Sequence, residues 1–522
     1  MNSITDVLDR PTLISIALIS LIASLFTLSI PIAAQTLINL IAFGKLMQPV
    51  LTLSLIVFIL MAALGALNVW QTVILEVIQQ KLMVKISLNL TNHFTRLSLD
   101  SFSTHHGPEL VNRFFEVATI NKSLASLLLY GVNLGLQLFL GLLLLLIYHP
   151  LFIIFDVAII LSILLIIFIP FRKGLESAKK ECAEKHQVGA WLEELLINRF
   201  LFRFSNYNHY ATLQSDKHLV SFLNARKTHF KQLIKHQIGF YLLAAFSSSL
   251  LLGLGGYLVI KNQLSLGQLV AAEIVLGALI YAFKRFGVLL ENYYDLIASK
   301  NKIDVVLNLP LEEIKIDLNA LFVPIQTIEI KFANKRHAIA SLNNPLFVYS
   351  QDAQNCKTFS ESLLGFGKKY DMHVQVNQQL CNEKHRAALR QYSLLLRRPE
   401  WFVGTIYDNL VLNHKSISPK QVMEQLNHFG LSEKIVHQPL GLKAVIYDWQ
   451  NEFTEFELIA LMIVRIILLE PQLLIIDRTF DGLERDKIDL LMGPLLNLKN
   501  TLMILVSQTH EFTEISNYAV LP

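Results

Sequence analysis

The chain has 522 residues, of which 53% are hydrophobic and only 16% charged, and its mean hydropathy is +0.46. That balance excludes an ordinary soluble protein of this length and marks an integral membrane protein. The formal net charge of +4 needs no nucleic acid to explain it.

Apolar runs near the ~20 residues needed to cross a bilayer recur in the first three hundred positions and then stop. Six crossings are predicted, at 12–32, 51–75, 124–148, 151–171, 238–260 and 266–282. The first run lacks a basic stretch ahead of it and a small-residue cleavage site, so it reads as a retained helix and not a signal peptide. Lysine and arginine set the orientation. The turns at 44–49 and 261–265 are short and nearly uncharged, whereas 172–235 carries Arg172, Lys173, Lys179, Lys180, Arg199, Arg203, Arg226 and Lys235 among others. By the positive-inside rule this segment, the one around 91–122 and both termini face the cytoplasm. As helices at ~1.5 Å per residue, the two long inner segments reach tens of ångströms below the membrane. Each is interrupted by a polar or aromatic break, at 100–108 and 198–205.

Two carboxylates lie inside crossings, Asp156 in the fourth and Glu273 in the sixth. An intramembrane acid is costly and points to a substrate contact or a proton-binding group. The alternative is burial beside a hydroxyl or amide, or exposure to an outward water-filled cavity. Cys182, Cys356 and Cys381 have no mutual metal-ligand spacing and read as buried thiols on the cytoplasmic side.

After Lys302 the pattern becomes that of a soluble α/β domain. Strands are predicted at 325–330, 346–349, 373–376, 472–476 and 502–507, and helices at 358–364, 419–429 and 455–469. The chain therefore divides into residues 1–302, a membrane domain with long cytoplasmic helical extensions, and residues 303–522.

Over nearly its whole length the chain resembles half of an ABC exporter, a six-helix membrane domain followed by a P-loop NTPase-like nucleotide-binding domain. The stretch from Phe102 through His105, His106 and Gly107 to Arg113 and Phe114 is similar to the first coupling segment of such exporters, and the break around Arg203 to the second. The run Leu264-Ser265-Leu266-Gly267-Gln268 is similar to the outer turn into the sixth helix, with Asn262 where a glycine is common. In the second domain, Leu473-Leu474-Ile475-Ile476-Asp477-Arg478 has the shape of a Walker B strand. Gly404-Thr405-Ile406-Tyr407-Asp408-Asn409, Arg465 and Pro471 also fit the family.

The resemblance implies ATP and Mg²⁺ as cofactors, with Lys357 and Thr358 as nucleotide ligands and Thr358 and Asp477 as magnesium ligands. The departures from the pattern are extensive. Arg478 stands where the hydrolytic glutamate belongs, and a guanidinium has no lone pair with which to accept a proton. The P-loop octet is Gln351-Asp352-Ala353-Gln354-Asn355-Cys356-Lys357-Thr358, without the glycines that let backbone amides wrap phosphate. Arg397 occupies the place of the magnesium-linking glutamine, Phe453-Thr454-Glu455-Phe456-Glu457 that of the signature loop, and Gln508 that of the switch histidine, with His510 two residues on. No adenine-stacking tyrosine lies between Ile325 and Arg336. Two readings of the octet stand, weak nucleotide binding through Lys357 and Thr358 or an ordinary strand-to-helix turn with Lys357 solvated.

The function implied is a dimeric exporter-like half transporter with a pseudo-ATPase domain, in a bacterial inner membrane with its second domain cytoplasmic. Its partners would be membrane lipid, an identical or different ABC half, and a periplasmic adaptor. The short N-terminus leaves no room for a leader-peptidase domain ahead of the first crossing. Two alternatives remain: a non-transporting membrane scaffold or regulatory subunit, and an active exporter in which Glu455, Glu457 or Glu484 replaces the base.

Overall fold

The computed structural model describes residues 9–43, 47–99, 107–204, 207–312, 324–332, 337–342, 344–366, 370–509 and 517–521. They form two compact units, Met1–Leu97 with Ser101–Leu311, and Ser98–Asp100 with Glu312–Pro522.

The first unit is all helical: α1 (Arg10–Thr27), α2 (Ser29–Phe43), α3 (Met47–Phe94), α4 (Gly107–Asn112), α5 (Glu116–Ser126), α6 (Val132–Tyr148), α7 (Phe152–Ile197), α8 (Tyr207–Ile260) and α9 (Leu266–Leu307). Among the described residues, six helices are long and apolar enough to cross a membrane. They match the six predicted crossings, the first formed by α1 and α2 around a break at Leu28 and the third by α4 to α6. The inner segments are continuous with the crossings, so that α8 runs for 54 residues. A helix of that length is ~80 Å long at ~1.5 Å per residue.

The outer turn before α9 is built by local chemistry. Asn262 has φ 58°, a left-handed conformation that asparagine tolerates better than most residues, which is why it replaces glycine there. Ser265 then opens α9 with a reciprocal cap, its Oγ accepting the Gln268 amide at 3.1 Å while Gln268 Oε1 accepts the Ser265 amide at 2.8 Å.

One contact fixes three of these helices together. Tyr294 of α9 is fully buried, and its Oη is 3.0 Å from His236 Nε2 of α8. Only a glycine at 174 of α7 admits the ring, since a Cβ there would lie 2.7 Å from Tyr294 Oη. His236 Nδ1 in turn lies 2.9 Å from the Ile166 carbonyl of α7.

The second unit contains β1 (Thr327–Phe332), β2 (His337–Ser341), β3 (Leu346–Tyr349), β4 (Met372–Val376), β5 (Gln379–Cys381), β6 (Ser393–Leu396), β7 (Gly404–Thr405), β8 (Val445–Ile446), β9 (Leu473–Asp477), β10 (Leu502–Ser507) and β11 (Tyr518–Val520). A parallel sheet has the order β11-β3-β10-β9-β6, and an antiparallel sheet the order β2-β1-β4-β5. Every residue of β3, β9 and β10 is buried, as expected for parallel strands covered on both faces. Ile328, Ile330 and Phe332 of β1 pack with Phe359 over one face. Ile463 and Leu491 pack with Leu474 and Leu505 over the other.

The principal helices here are α10 (Ala353–Leu363), α11 (Pro419–His428), α12 (Glu455–Leu469) and α13 (Arg485–Leu496). β3, β10 and α12 have the predicted bounds. α10 begins five residues earlier than the predicted 358–364, because Asp352 caps it directly. β1 begins two residues later than the predicted 325–330.

Candidate functional site

The carboxyl ends of β3, β9 and β10 lie side by side, the edge at which an open α/β sheet binds ligands. Asp477, the last residue of β9, is completely buried, and both its oxygens are taken by cations. Arg397 Nε donates to Oδ2 at 2.6 Å and Arg478 Nε to Oδ1 at 3.0 Å. Arg397 also donates from Nη1 to Glu361 Oε1 at 2.8 Å and from Nη2 to the Lys357 carbonyl at 3.3 Å. Burial opposes its charge, but the hydrogen bond to Glu361 and the charge of Asp477 outweigh burial and raise the guanidinium above its ordinary range. Arg478 reaches Asp477 from a left-handed backbone, φ 55°, anchored by its own amide to the Val506 carbonyl at 2.7 Å. For a residue with a Cβ this conformation costs ~1–3 kcal/mol.

The turn from β3 into α10 is closed by its own side chains. Asp352 accepts the Gln354 amide at 2.8 Å, so a carboxylate sits on the amide end of α10, where a glycine-rich loop would present amides to phosphate. Ser350 Oγ accepts the Asp352 amide at 3.2 Å. Thr358 Oγ1 turns back to donate to the Gln354 carbonyl at 2.8 Å. Lys357 is exposed, and among the described residues no carboxylate pairs with it. Cys356 is buried beneath the turn, and burial with the nearby Asp477 charge pushes its thiol up to about 11.

Beyond β10, the Gln508 side chain donates to the Gln351 carbonyl at 2.9 Å, and its backbone amide to Asp481 Oδ2 at 3.1 Å. Ser507 Oγ donates to Asp481 Oδ1 at 2.5 Å. His510 lies outside the described residues.

The start of α12 is closed in the same manner. Thr454 Oγ1 accepts the Glu457 amide at 3.3 Å, and Glu457 Oε2 accepts the Thr454 amide at 2.7 Å. The same Oε2 is 2.7 Å from Lys434 Nζ. Burial raises the Glu457 carboxyl, but these hydrogen bonds, led by Lys434, hold it below the usual carboxylate range. Glu455 is exposed. Glu484 precedes α13 and pairs with Lys487 at 2.9 Å.

In the first unit Gly107 opens α4, and Arg203 ends the single turn Leu201–Arg203 between α7 and α8. His105 and His106 lie outside the described residues. Asp156 is buried and Glu273 half-buried; among the described residues, Asp156 Oδ1 and Glu273 Oε1 have no hydrogen-bond partner. The hydroxyl or amide partner that a purely structural role would supply is therefore missing at these two atoms.

All three cysteines are buried. Cys182, however, lies with His186 one helical turn on and with Glu116 of α5, their ligand-type atoms within 4.8 Å of one another. Spacing among cysteines alone misses such a group. It is internally satisfied, since Glu116 Oε1 meets Lys185 at 2.5 Å and His186 at 3.1 Å while Oε2 accepts from Ser299 at 2.5 Å. Sequence reasoning also missed Glu361 and Lys434, which carry no motif and become legible only through their partners.

Residues 13–283 match the model of the ABC transporter transmembrane region. The chain is 24% identical over 463 residues to the pediocin PA-1 transport/processing ATP-binding protein PedD of Pediococcus acidilactici, covering 84% of this chain and 63% of that protein. It is 22% identical over 430 residues to the lactococcin-G-processing and transport ATP-binding protein LagD of Lactococcus lactis subsp. lactis, covering 79% and 60%. The α-hemolysin translocation ATP-binding protein HlyB of Escherichia coli O157:H7 is 22% identical over 288 residues, 51% of this chain and 39% of that one. The chain thus spans less than two thirds of the length of these curated relatives. Among solved structures, a bacterial Atm1-family ABC exporter with ATP bound superposes with a TM-score of 0.82 at 15% identity, over 98% of this chain and 93% of that one.

Proposed function

The chain belongs to the ABC transporter transmembrane region family, and we propose that it is an exporter-type half transporter whose second unit is a pseudo-ATPase. It works as a dimer, with an identical copy or with a second ABC half, in a bacterial inner membrane with the second unit in the cytoplasm. The observation that carries this reading is the occupation of both oxygens of buried Asp477 by Arg397 and Arg478. Magnesium takes hard oxygen ligands in near-octahedral geometry, and a buried carboxylate flanked on both oxygens by guanidinium offers a dication no net negative charge and sets two cations against it.

The residues present do not fit Mg·ATP at the other contact points either. The amide end of α10 is covered by Asp352 and that of α12 by Glu457, so each would set a carboxylate against a phosphate. With Arg478 unable to accept a proton, no group described here takes the part of the hydrolytic base. Nucleotide binding, if any remains, rests on Lys357 and Thr358 alone. Curated relatives are named for pediocin, lactococcin G and α-hemolysin, and a secreted peptide or protein is the substrate class this supports. An intact partner half would supply the one remaining Walker side, with hydrolysis weak or absent because the start of α12 here is closed.

The test is nucleotide binding and hydrolysis by the purified full-length chain, alone and co-purified with an intact ABC half. No saturable ATP binding below millimolar concentration and no hydrolysis dependent on Lys357 are expected. Hydrolysis at rates typical of exporters that disappears on Lys357→Ala would overturn the proposal.

A further inference from the structure

Within the first unit, α1, α3 and α6 enclose a cleft of ≈ 350 Å³ in the part of the chain that crosses the membrane. Its polar lining consists of Ser24 and Thr27 from α1, Asn68 and Thr72 from α3, and Asn133 and Gln137 from α6. Among the described residues no charged side chain lines it, and the Arg285 guanidinium lies behind the wall, 4.7 Å from the Tyr130 ring. Its volume is at the small end of the range for ligand sites, ~300–1,000 Å³.

One lining residue, Asn133, ends a hydrogen-bonded chain of polar side chains. Gln71, fully buried, donates from Nε2 to Ser20 Oγ at 2.8 Å, and Asn133 Nδ2 donates to Gln71 Oε1 at 3.0 Å. The chain ends there. Asn133 Oδ1 is buried and, among the described residues, has no hydrogen-bond partner. Turning both amides over reverses the direction of the chain but still leaves one end of Asn133 open, now its NH₂. Buried polar groups without partners are rare and call for a reason, and at this depth the cost is several kcal/mol if hydrocarbon is the neighbour. The segment leading into α6, Leu127–Gly131, is a π-helical turn, a form that concentrates at functional sites. It brings Tyr130 to the cleft wall.

On α3, Asn68 and Thr72 are one turn apart and exposed. Leu51 and Leu55, earlier on the same helix, are exposed apolar residues suited to lipid. Thr72 Oγ1 donates to the Asn68 carbonyl at 2.9 Å, so it is the Asn68 side-chain amide that makes this face unsuited to lipid.

We propose that this cleft is a ligand subsite for an uncharged, amide-bearing chain segment, that is, a stretch of peptide backbone. Asn133 Oδ1 presents an open acceptor that the N–H of a peptide group satisfies, with the side-chain amides of Asn68 and Gln137 on the same lining to meet its carbonyl. The apolar wall of Ala23, Leu64, Leu129 and Tyr130 accepts the small apolar side chains that flank such a group. A cationic segment would lose its hydration with no carboxylate among the lining residues, and would face the Arg285 guanidinium 4.7 Å from the Tyr130 ring. The proposal deepens the transport reading and rests on it, so binding and translocation are measured separately.

The experiment uses the full-length chain in lipid nanodiscs and, as probe, an N-acetylated, C-amidated peptide of glycine and alanine with one benzoylphenylalanine, photolysed and mapped by mass spectrometry. Cross-links on residues lining the cleft are expected, with apparent affinity falling ~tenfold in Asn133→Leu and in Asn68→Leu. Asn68→Leu sits at the exposed rim and keeps the test valid where Asn133→Leu does not fold. Replacing the alanines by lysine in the probe is expected to abolish labelling. Unchanged affinity in both variants, labelling confined to the apolar face of α3, or competition by maltotetraose but not by unlabelled peptide would each overturn the proposal. Peptide that binds but does not enter proteoliposomes holding the chain together with an intact ABC half and ATP supports the subsite and sinks the transport reading alone.

Discussion

Replacing Asp477 by alanine should destabilise the second unit, and the size of the effect follows from its partners. Breaking a buried ion pair by removing one member costs ~3–5 kcal/mol, because the remaining charge is left uncompensated. Here Arg397 keeps Glu361 at 2.8 Å, so the orphan is chiefly Arg478. Its side chain is 23% exposed and can turn toward water. The lower end of the range applies, ~3 kcal/mol, or about a hundredfold in the opening equilibrium. Cys356 reports that equilibrium. It is completely buried, and its thiol is pushed up to about 11, so a maleimide reaches it only when the unit opens. Labelling of Cys356 in the full-length chain should therefore accelerate about a hundredfold in Asp477→Ala. In Asp477→Asn, which keeps an acceptor but loses the charge, it should accelerate about tenfold. An Asp477 held open for a metal would behave oppositely, since removing a buried unpaired carboxylate stabilises the fold. Labelling of Asp477→Ala within about threefold of the parent, or slower than it, would refute the reasoning.

Two further outcomes follow from the capped helix and the buried tyrosine. Glu457 has its carboxyl held below the usual value of 4.5, so its contribution is fully present above that value and is lost as pH falls through the depressed one. The stability difference between parent and Glu457→Gln, ~1 kcal/mol for a partly exposed pair, should be flat in denaturant titrations from pH 8 to about 5.5 and shrink as the pH falls below 4.5. A difference that grew on acidification would contradict the assignment. Gly174→Ala forces a Cβ to 2.7 Å from Tyr294 Oη and should cost ~1–3 kcal/mol by overpacking, seen as a lower Tm of the detergent-solubilised chain; an unchanged Tm would show that the ring has room to move.

The architecture was readable because its signals are local. A run of about twenty apolar residues announces a crossing by itself, and the buried strands at Leu346–Tyr349 and Leu502–Ser507 are short apolar runs between turn residues. The misplaced start of α10 came from expecting a phosphate loop where Asp352 instead begins a helix at once. The edge strands Gln379–Cys381 and Ser393–Leu396 are brief and were not predicted, since short segments carry too few residues for a period to show. The partners within the candidate site were illegible for a different reason. Arg397 meets Glu361 across 36 positions and Asp477 across 80, and Gln71 meets Asn133 across 62. Spacing along the chain says nothing about such pairs, because only the sheet order and the helix packing bring them together.

On the proposed reading, the three closures in the second unit obey one rule of charge. A nucleotide site presents open helix amides to phosphate and an open carboxylate to a metal, and without ligand each of these groups has only water to satisfy it. In this chain a carboxylate stands at each amide end, Asp352 at α10 and Glu457 at α12, and guanidinium stands at the carboxylate, from Arg397 and Arg478. Every replacement carries the sign of the ligand group it stands in for. It follows that exchanging Arg478 and Arg397 for the glutamate and glutamine of the family pattern cannot by itself restore binding. Asp477 would then face a second carboxylate with no cation, while Asp352 still covered the amides of α10. The closures hold one another in place, and reopening the site has to begin by freeing the amide end of α10.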